Sequence, residues 1–183
     1  TEEFSVAPPT AQIKIEGQIF FNSTANAFKE TILSAADGTW ASGGTMNTAR
    51  SGTDGGTGTQ TAAMLGGGAP SGGANAEQYD GSSWTEVADL NTPRGYIGGA
   101  GTTAAMVTFG GNSSPKAYTE LWNGSAWTES GDLNTGRQSM GACGATSTAA
   151  LCISGASPPR VTNVESWNGS AWTEVADVNQ ERY

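Results

Sequence analysis

The sequence predicts an all-β protein built from four-stranded repeats, and three observations carry that prediction. Trp40, Trp84, Trp127 and Trp172 stand 44, 43 and 45 residues apart. Arg50, Arg94, Arg137 and Arg182 each follow the corresponding tryptophan by ten residues, in units reading GTWASGGTMNTAR, SSWTEVADLNTPR, SAWTESGDLNTGR and SAWTEVADVNQER. A period in the forties marks stacked supersecondary units. Composition agrees: 27 of 183 residues are Gly and only 36% are hydrophobic, which suits short strands and tight turns better than packed helices.

In chain order, residues 1–16 (TEEFSVAPPTAQIKIE) lie outside the repeat and read as an extended arm, with Pro8-Pro9 as a connector. The stretch QIKIEGQIFF, which begins inside the arm at Gln12, alternates like a strand. Residues 17–49 are a half-repeat predicted to form a hairpin, because Phe21-Asn22-Ser23 echoes Trp122-Asn123-Gly124 and Trp167-Asn168-Gly169. Complete units then run 50–93, 94–136 and 137–181, and residues 182–183 open the next one.

The unit 94–136 shows why each should hold four strands. Arg94 precedes the Gly/Ala-rich strand GYIGGAG, and a turn at Thr102–Thr103 leads to the apolar run AAMVTFGG. That run stops at Gly110 and Gly111, as its counterpart stops at Gly67 and Gly68. A variable loop follows, then AYTELW, the Asn123–Gly124 turn and SAWTES, which read as a hairpin with a type I′ turn. Four strands per unit is the count of a propeller blade, whose innermost strand is crowded enough to require small residues. The chain starts at the third strand of a blade and stops where a first strand should begin. Those ends are complementary, which predicts repeats continuing past Tyr183 and a blade closed by strands from both termini.

The repeated tryptophans have two readings. They fill the space between outer strands of neighbouring blades, each removing about 150–250 Å² from water, or they stack on sugars; the packing reading is favoured. The repeated arginines anchor linkers through backbone carbonyls, with ligand binding as the alternative. Asp89, Asp132 and Asp177 share one repeat position, which suits satisfying linker amides better than paired-carboxylate glycosidase chemistry.

Catalytic constellations are scarce. The chain has no His, so a Ser-His-Asp triad, a Cys-His pair and a His-based metal site are excluded within it, and no cofactor is expected. No Gly-rich stretch has the Lys and strand-loop-helix setting of a phosphate loop. Ser34–Trp40 approaches a sialidase-type Asp-box turn but is one residue off. Cys143 and Cys152 flank a predicted turn at Ala145–Thr148, so they are either a cross-strand disulfide or two small core residues. Alignment with Ala100 and Val107 favours the second. Asn22, Asn112, Asn123 and Asn168 begin N-x-Ser/Thr sequences, two of them within the predicted hairpin turns. A net charge of −9 argues against nucleic acid, and no apolar run reaches the ~20 residues of a membrane helix.

The order Arg, apolar strand, Gly-Gly, variable loop and paired aromatics resembles the kelch repeat, on Gly67-Gly68 with Tyr79–Trp84 and Gly110-Gly111 with Trp122–Trp127. The third unit departs by holding Ser154-Gly155, which predicts a distorted turn. The resemblance implies a kelch-like β-propeller with blades of 43–45 residues, part of a larger closed ring. The absence of His disfavours the copper oxidase centre that some kelch propellers carry.

A narrower resemblance rests on EGQIFFNSTANAFKE followed by GTWASGGTMNTAR, which is similar to kelch-like structural proteins of tailed bacteriophages from marine and cyanobacterial hosts. It implies a non-enzymatic virion protein, a tail fibre or appendage, or otherwise an extracellular module. Its arm (1–16) would attach to other virion subunits, and a homo-oligomer is compatible with that role. Its propeller would bind host glycan or surface protein. The candidate recognition loops are those that vary between units: Ala69–Ala74 with Pro70 and Ser71; Asn112, Ser113, Ser114, Pro115 and Lys116; and Ser157–Val161 with Pro158, Pro159 and Arg160. Two alternatives stand beside it: a decoration protein making only subunit contacts, and part of a carbohydrate-active enzyme whose catalytic groups lie in other blades.

Overall fold

Strands form at short runs rich in apolar and β-branched residues such as AAMLG, MVTF, TELW and VESW, most of them buried on both faces, and each stops at a Gly- or Asn-led turn. The computed structural model describes residues 19–22, 27–30, 42–53, 55–68, 73–112, 117–157 and 159–181. The chain divides into two compact units, Thr1–Ser42 and Gly43–Tyr183.

In the first unit, β1 (Ile19–Asn22) pairs antiparallel with β2 (Ala27–Glu30), Phe21 opposite Phe28. The predicted arm (1–16), the Asp-box-like stretch and Trp40 lie outside the described residues.

The second unit contains three four-stranded antiparallel sheets, each a simple meander. The first holds β3 (Gly56–Thr59), β4 (Ala62–Gly66), β5 (Ala76–Tyr79) and β6 (Trp84–Val87). The second holds β7 (Gly98–Gly101), β8 (Met106–Phe109), β9 (Thr119–Trp122) and β10 (Trp127–Glu129). The third holds β11 (Gly141–Thr146), β12 (Ala149–Ile153), β13 (Val164–Trp167) and β14 (Trp172–Val175). The described residues contain no helix. One such sheet falls in each repeat, an arrangement consistent with a blade-type β fold.

The sheets pack face to face in chain order. Trp122 and Trp127 join Met64, Ala76 and Leu90 of the preceding sheet in one core. Trp167 and Trp172 join Val107, Phe109 and Leu133 in the next. Trp127 Nε1 donates to Ala88 O and Trp172 Nε1 to Thr119 Oγ1, both at 2.9 Å across the sheet boundary. The Trp172 ring meets Phe109 edge-on at 4.7 Å. Trp84, which begins the same strand in the first sheet, is only half-buried.

Glycine in the inner strand has a steric cause. A Cβ at Gly99 would stand 2.8 Å from Gly55 O of the neighbouring sheet, so only a bare backbone lets the two inner strands approach. The double glycines have another cause. Gly110 and Gly111 adopt φ of 69° and 118°, and Gly67 and Gly68 adopt 72° and 118°. Ser154 and Gly155 adopt 56° and 113°, so the third turn is not distorted by its serine. Ser154 takes the left-handed conformation, and its Oγ donates to Val161 O at 2.8 Å, which offsets part of the strain.

Two further expectations change. The Asn-Gly turns are four-residue loops, 123–126 and 168–171, between directly opposed tryptophans, and neither asparagine has a positive φ. Asn123 Oδ1 instead accepts hydrogen bonds from Ser125 N, Ser125 Oγ and Ala126 N, each at 3.0 Å, and that side-chain cap replaces the type I′ geometry. Asp80 makes the same loop in the first sheet; bonds from Ser83 N and Ser82 N lead the interactions that hold its carboxyl well below the usual range.

Cys143 and Cys152 are both free. Cys143 lies opposite Leu151 and Cys152 opposite Ala142, so the two side chains point to opposite faces of the sheet. Cys152 is fully buried and aligns with Thr108 rather than Val107, since each lies opposite the equivalent glutamate of the next strand. Cys143 is exposed, not a core residue.

Candidate recognition face and its support

In a four-stranded meander the connection from second to third strand leaves from the same end as the linker to the next sheet. The connections 67–75, 110–118 and 154–163 therefore share one end of their sheets with the linkers. Their sequences are GGAPSGGAN, GGNSSPKAY and SGASPPRVTN, whereas the hairpin loops at the opposite end are DGSS, NGSA and NGSA. The opposite end also carries the short turns QT, TTAA and ST between first and second strands, so it is the long variable connections that are gathered at one end.

That end is fixed by a repeated buried network. Arg137 pairs with Glu165 at 2.7 Å, both side chains at most 1% exposed. Arg94 pairs with Glu120 and Arg50 with Glu77 in the same way. The second oxygen of each glutamate is held by an asparagine of the linker. Asn91 N and Nδ2 reach Glu120 Oε2 at 2.7 and 2.9 Å, and Nδ2 also donates to Trp127 O at 3.0 Å. Asn134 does the same to Glu165 and Trp172 O, and Asn47 to Glu77 and Trp84 O. Thr48, Thr92 and Thr135 complete each set with a backbone N–H. Each linker therefore crosses to the following sheet and closes on a carboxylate of its third strand. Breaking such a buried pair by removing one partner costs about 3–5 kcal/mol.

The arginines thus do more than bind carbonyls. Arg94 and Arg137 do donate to Thr92 O and Thr135 O at 3.1 Å, but each guanidinium is centred on its glutamate. Asp89 and Asp132 are exposed and make no hydrogen bond among the described residues, so the linker amides are satisfied by glutamate instead. Among the described residues Asp177 accepts only from Thr162 Oγ1, at 3.2 Å. For Glu77, burial pushes the carboxyl up, and the bonds from Asn47 and Thr48 with the Arg50 charge outweigh it, leaving the group below its ordinary value. The glutamates went unread in the sequence. Their signal is present, since Glu77, Glu120 and Glu165 each stand seven residues before Trp84, Trp127 and Trp172.

Loop bases are pinned to this network. Gly68 N donates to Arg94 O at 3.1 Å and Gly111 N to Arg137 O at 2.9 Å. Asn112 and Gly95 exchange hydrogen bonds of 2.9 and 3.0 Å, which tie the second loop to the linker before it. The third loop is closed by Val161 N to Gly155 O and Ser157 N to Pro159 O, and leaves Pro159 and Arg160 exposed. Of the predicted recognition residues, Asn112, Pro159 and Arg160 are described; Pro70, Ser71, Ser113, Ser114, Pro115, Lys116 and Pro158 lie outside the described residues. Among the described residues no group of three His, Cys, Asp or Glu is arranged to hold a metal ion.

No protein-family model matches the chain, and no curated protein matches it significantly.

Proposed function

We propose that the chain is a non-enzymatic binding module whose ligand, a glycan or protein on a host surface, is recognised by the loops 67–75, 110–118 and 154–163. The supporting observation is the contrast between those loops and their foundations. Their sequences differ in every repeat, while the Arg–Glu–Asn network under them is the same three times over. A fixed base under variable loops lets contact residues change without disturbing the core. On this reading the three sheets are blades of a closed kelch-like propeller. That propeller belongs to a tail fibre or related appendage of a tailed phage, joined to other virion subunits through residues 1–16.

Glycan-array and host-cell binding, run on the wild-type chain and on a variant carrying Pro159→Ala and Arg160→Ala, tests the proposal. Binding that falls at least about tenfold at unchanged thermal midpoint supports it. Binding unchanged in that variant, and also after replacing 113–116 with Gly-Ser, would remove the loops as the recognition surface. No binding to any host component, together with co-purification with virion subunits, would leave the decoration role instead.

A further inference from the structure

Two residues after each linker arginine the backbone turns left-handed: Gly52, Tyr96 and Ser139 have φ of 60°, 58° and 53°. Bonds between neighbouring sheets hold it there. Tyr96 N donates to Gly52 O at 2.7 Å, and Ser139 N donates to Tyr96 O at 3.0 Å. That conformation is easy for glycine and costly for a residue as bulky as tyrosine. The first and third repeats place glycine and serine at this point and reach the same conformation without a ring. The fold therefore does not call for tyrosine. Strain of this kind, kept against the rule of the repeat, gathers where a side chain serves a ligand.

The Tyr96 ring lies against Gly52, where an added Cβ would meet ring carbons at 2.9, 3.0 and 3.1 Å, so a bare backbone gives the ring its seat. The residue is half-buried, and its hydroxyl has no hydrogen-bond partner among the described residues. It follows directly on the bases of two loops. At the foot of 67–75, Gly68 N donates to Arg94 O and Arg94 N to Gly73 O. At the foot of 110–118, Asn112 Oδ1 accepts from Gly95 N at 2.9 Å and Asn112 N donates to Gly95 O at 3.0 Å. Asn112 is exposed, and its Nδ2 donors have no partner among the described residues. Trp122, Trp127, Trp167 and Trp172 are at most 6% exposed between the sheets, so none of them offers a ring at this end.

We propose that Tyr96 is a stacking platform for a sugar ring, with Asn112 Nδ2 as the hydrogen-bond donor beside it, so that the ligand is a glycan. The assignment rests on the reading of the loop end as the recognition face. A pyranose matches these two groups together. Its apolar C–H face lies on an aromatic ring, and a hydroxyl oxygen at its edge accepts from an amide. A ring seated on Gly52 and held by backbone bonds on both sides is in place before binding, so little side-chain freedom is lost. The surroundings suit a protein ligand less well. Gly68, Gly73, Gly95 and Asn112 at the two loop feet bring no second large apolar side chain to enclose the tyrosine, as the centre of a protein interface requires.

The test measures binding of the whole chain to an array of oligosaccharides ending in hexose, N-acetylhexosamine or uronic acid, and separately to host cells. Tyr96→Gly copies the first repeat and relieves the left-handed strain, so its thermal midpoint should be unchanged or higher. Its glycan binding should fall about tenfold or more, while Tyr96→Phe keeps most of it. Asn112→Asp, which keeps an oxygen for Gly95 N and loses the amide donors, should also weaken binding. A midpoint that falls in Tyr96→Gly would make the ring part of the core and overturn the proposal. Glycan binding unchanged in Tyr96→Gly but lost in the Pro159→Ala, Arg160→Ala variant would overturn the platform and leave the loop reading standing. Binding to a host protein with none to any oligosaccharide would overturn the glycan and keep the loops. No binding to oligosaccharides or to cells would sink the platform and the loop reading together.

Discussion

The second and third sheets share one strand order and one ion-pair network, and they differ in what lies beside them. Val107 and Phe109 are fully buried under Trp167 and Trp172. Leu151 and Ile153, at the same points of the third sheet, are half-buried. Yet the ion-pair core of both is alike: Arg94–Glu120 and Arg137–Glu165 have side chains at most 1% exposed. The comparison separates two sources of burial. Linker and third strand make one within a repeat junction, and stacking against the next sheet makes the other.

The largest expected effect is on the shared source. Glu120→Ala and Glu165→Ala should each lower stability by about 3–5 kcal/mol in urea unfolding, because each strands a buried guanidinium. Similar values at the two sites would show that the network does not depend on a following sheet; a much smaller loss at Glu165 would break the comparison. The second source should split the sheets. Phe109→Ala should cost about 3–5 kcal/mol, and Ile153→Ala only about 1 kcal/mol, since its side chain is already partly hydrated.

Acid should probe the carboxylate side. The folded Glu77 carboxyl is held below its ordinary value of 4.5, so its contribution is complete above that value and is lost as pH falls through the lowered one. Urea midpoints should be flat above that region and fall below it, with a shallower fall in Glu77→Gln. The smallest effect is chemical. Burial, against the charge and hydrogen bond of Arg137, pushes the Cys152 thiol up to about 12, while Cys143 is exposed. Mass spectrometry after alkylation should find one label on the native chain, at Cys143, and two after denaturation.

Much of the fold was legible because it repeats. The tryptophan and arginine spacing marked the three units, and alternating apolar runs ended by Gly or Asn marked their strands. Local signals misled where a side chain substitutes for backbone geometry. Asn-Gly suggests a two-residue turn, but Asn123 caps a four-residue loop with its own carbonyl. Ser154 suggested distortion, but the turn is held by neighbours on both sides and the serine conforms to it. The candidate face was legible as variable loops and not as a structure with a foundation. The glutamates that support it are charged residues in short strands, and nothing local says that a linker some thirty residues earlier closes on them.

By itself, then, the sequence determined the period, the strands and the small residues of the inner strand, because these follow from local conformational preference and side-chain size. Only the tertiary structure decided which carboxylates are buried, which cysteine is accessible and which apolar face is left open. Those properties belong to pairs of distant segments, and a residue such as Leu151 or Val107 carries the same local preference whether or not another sheet lies against it.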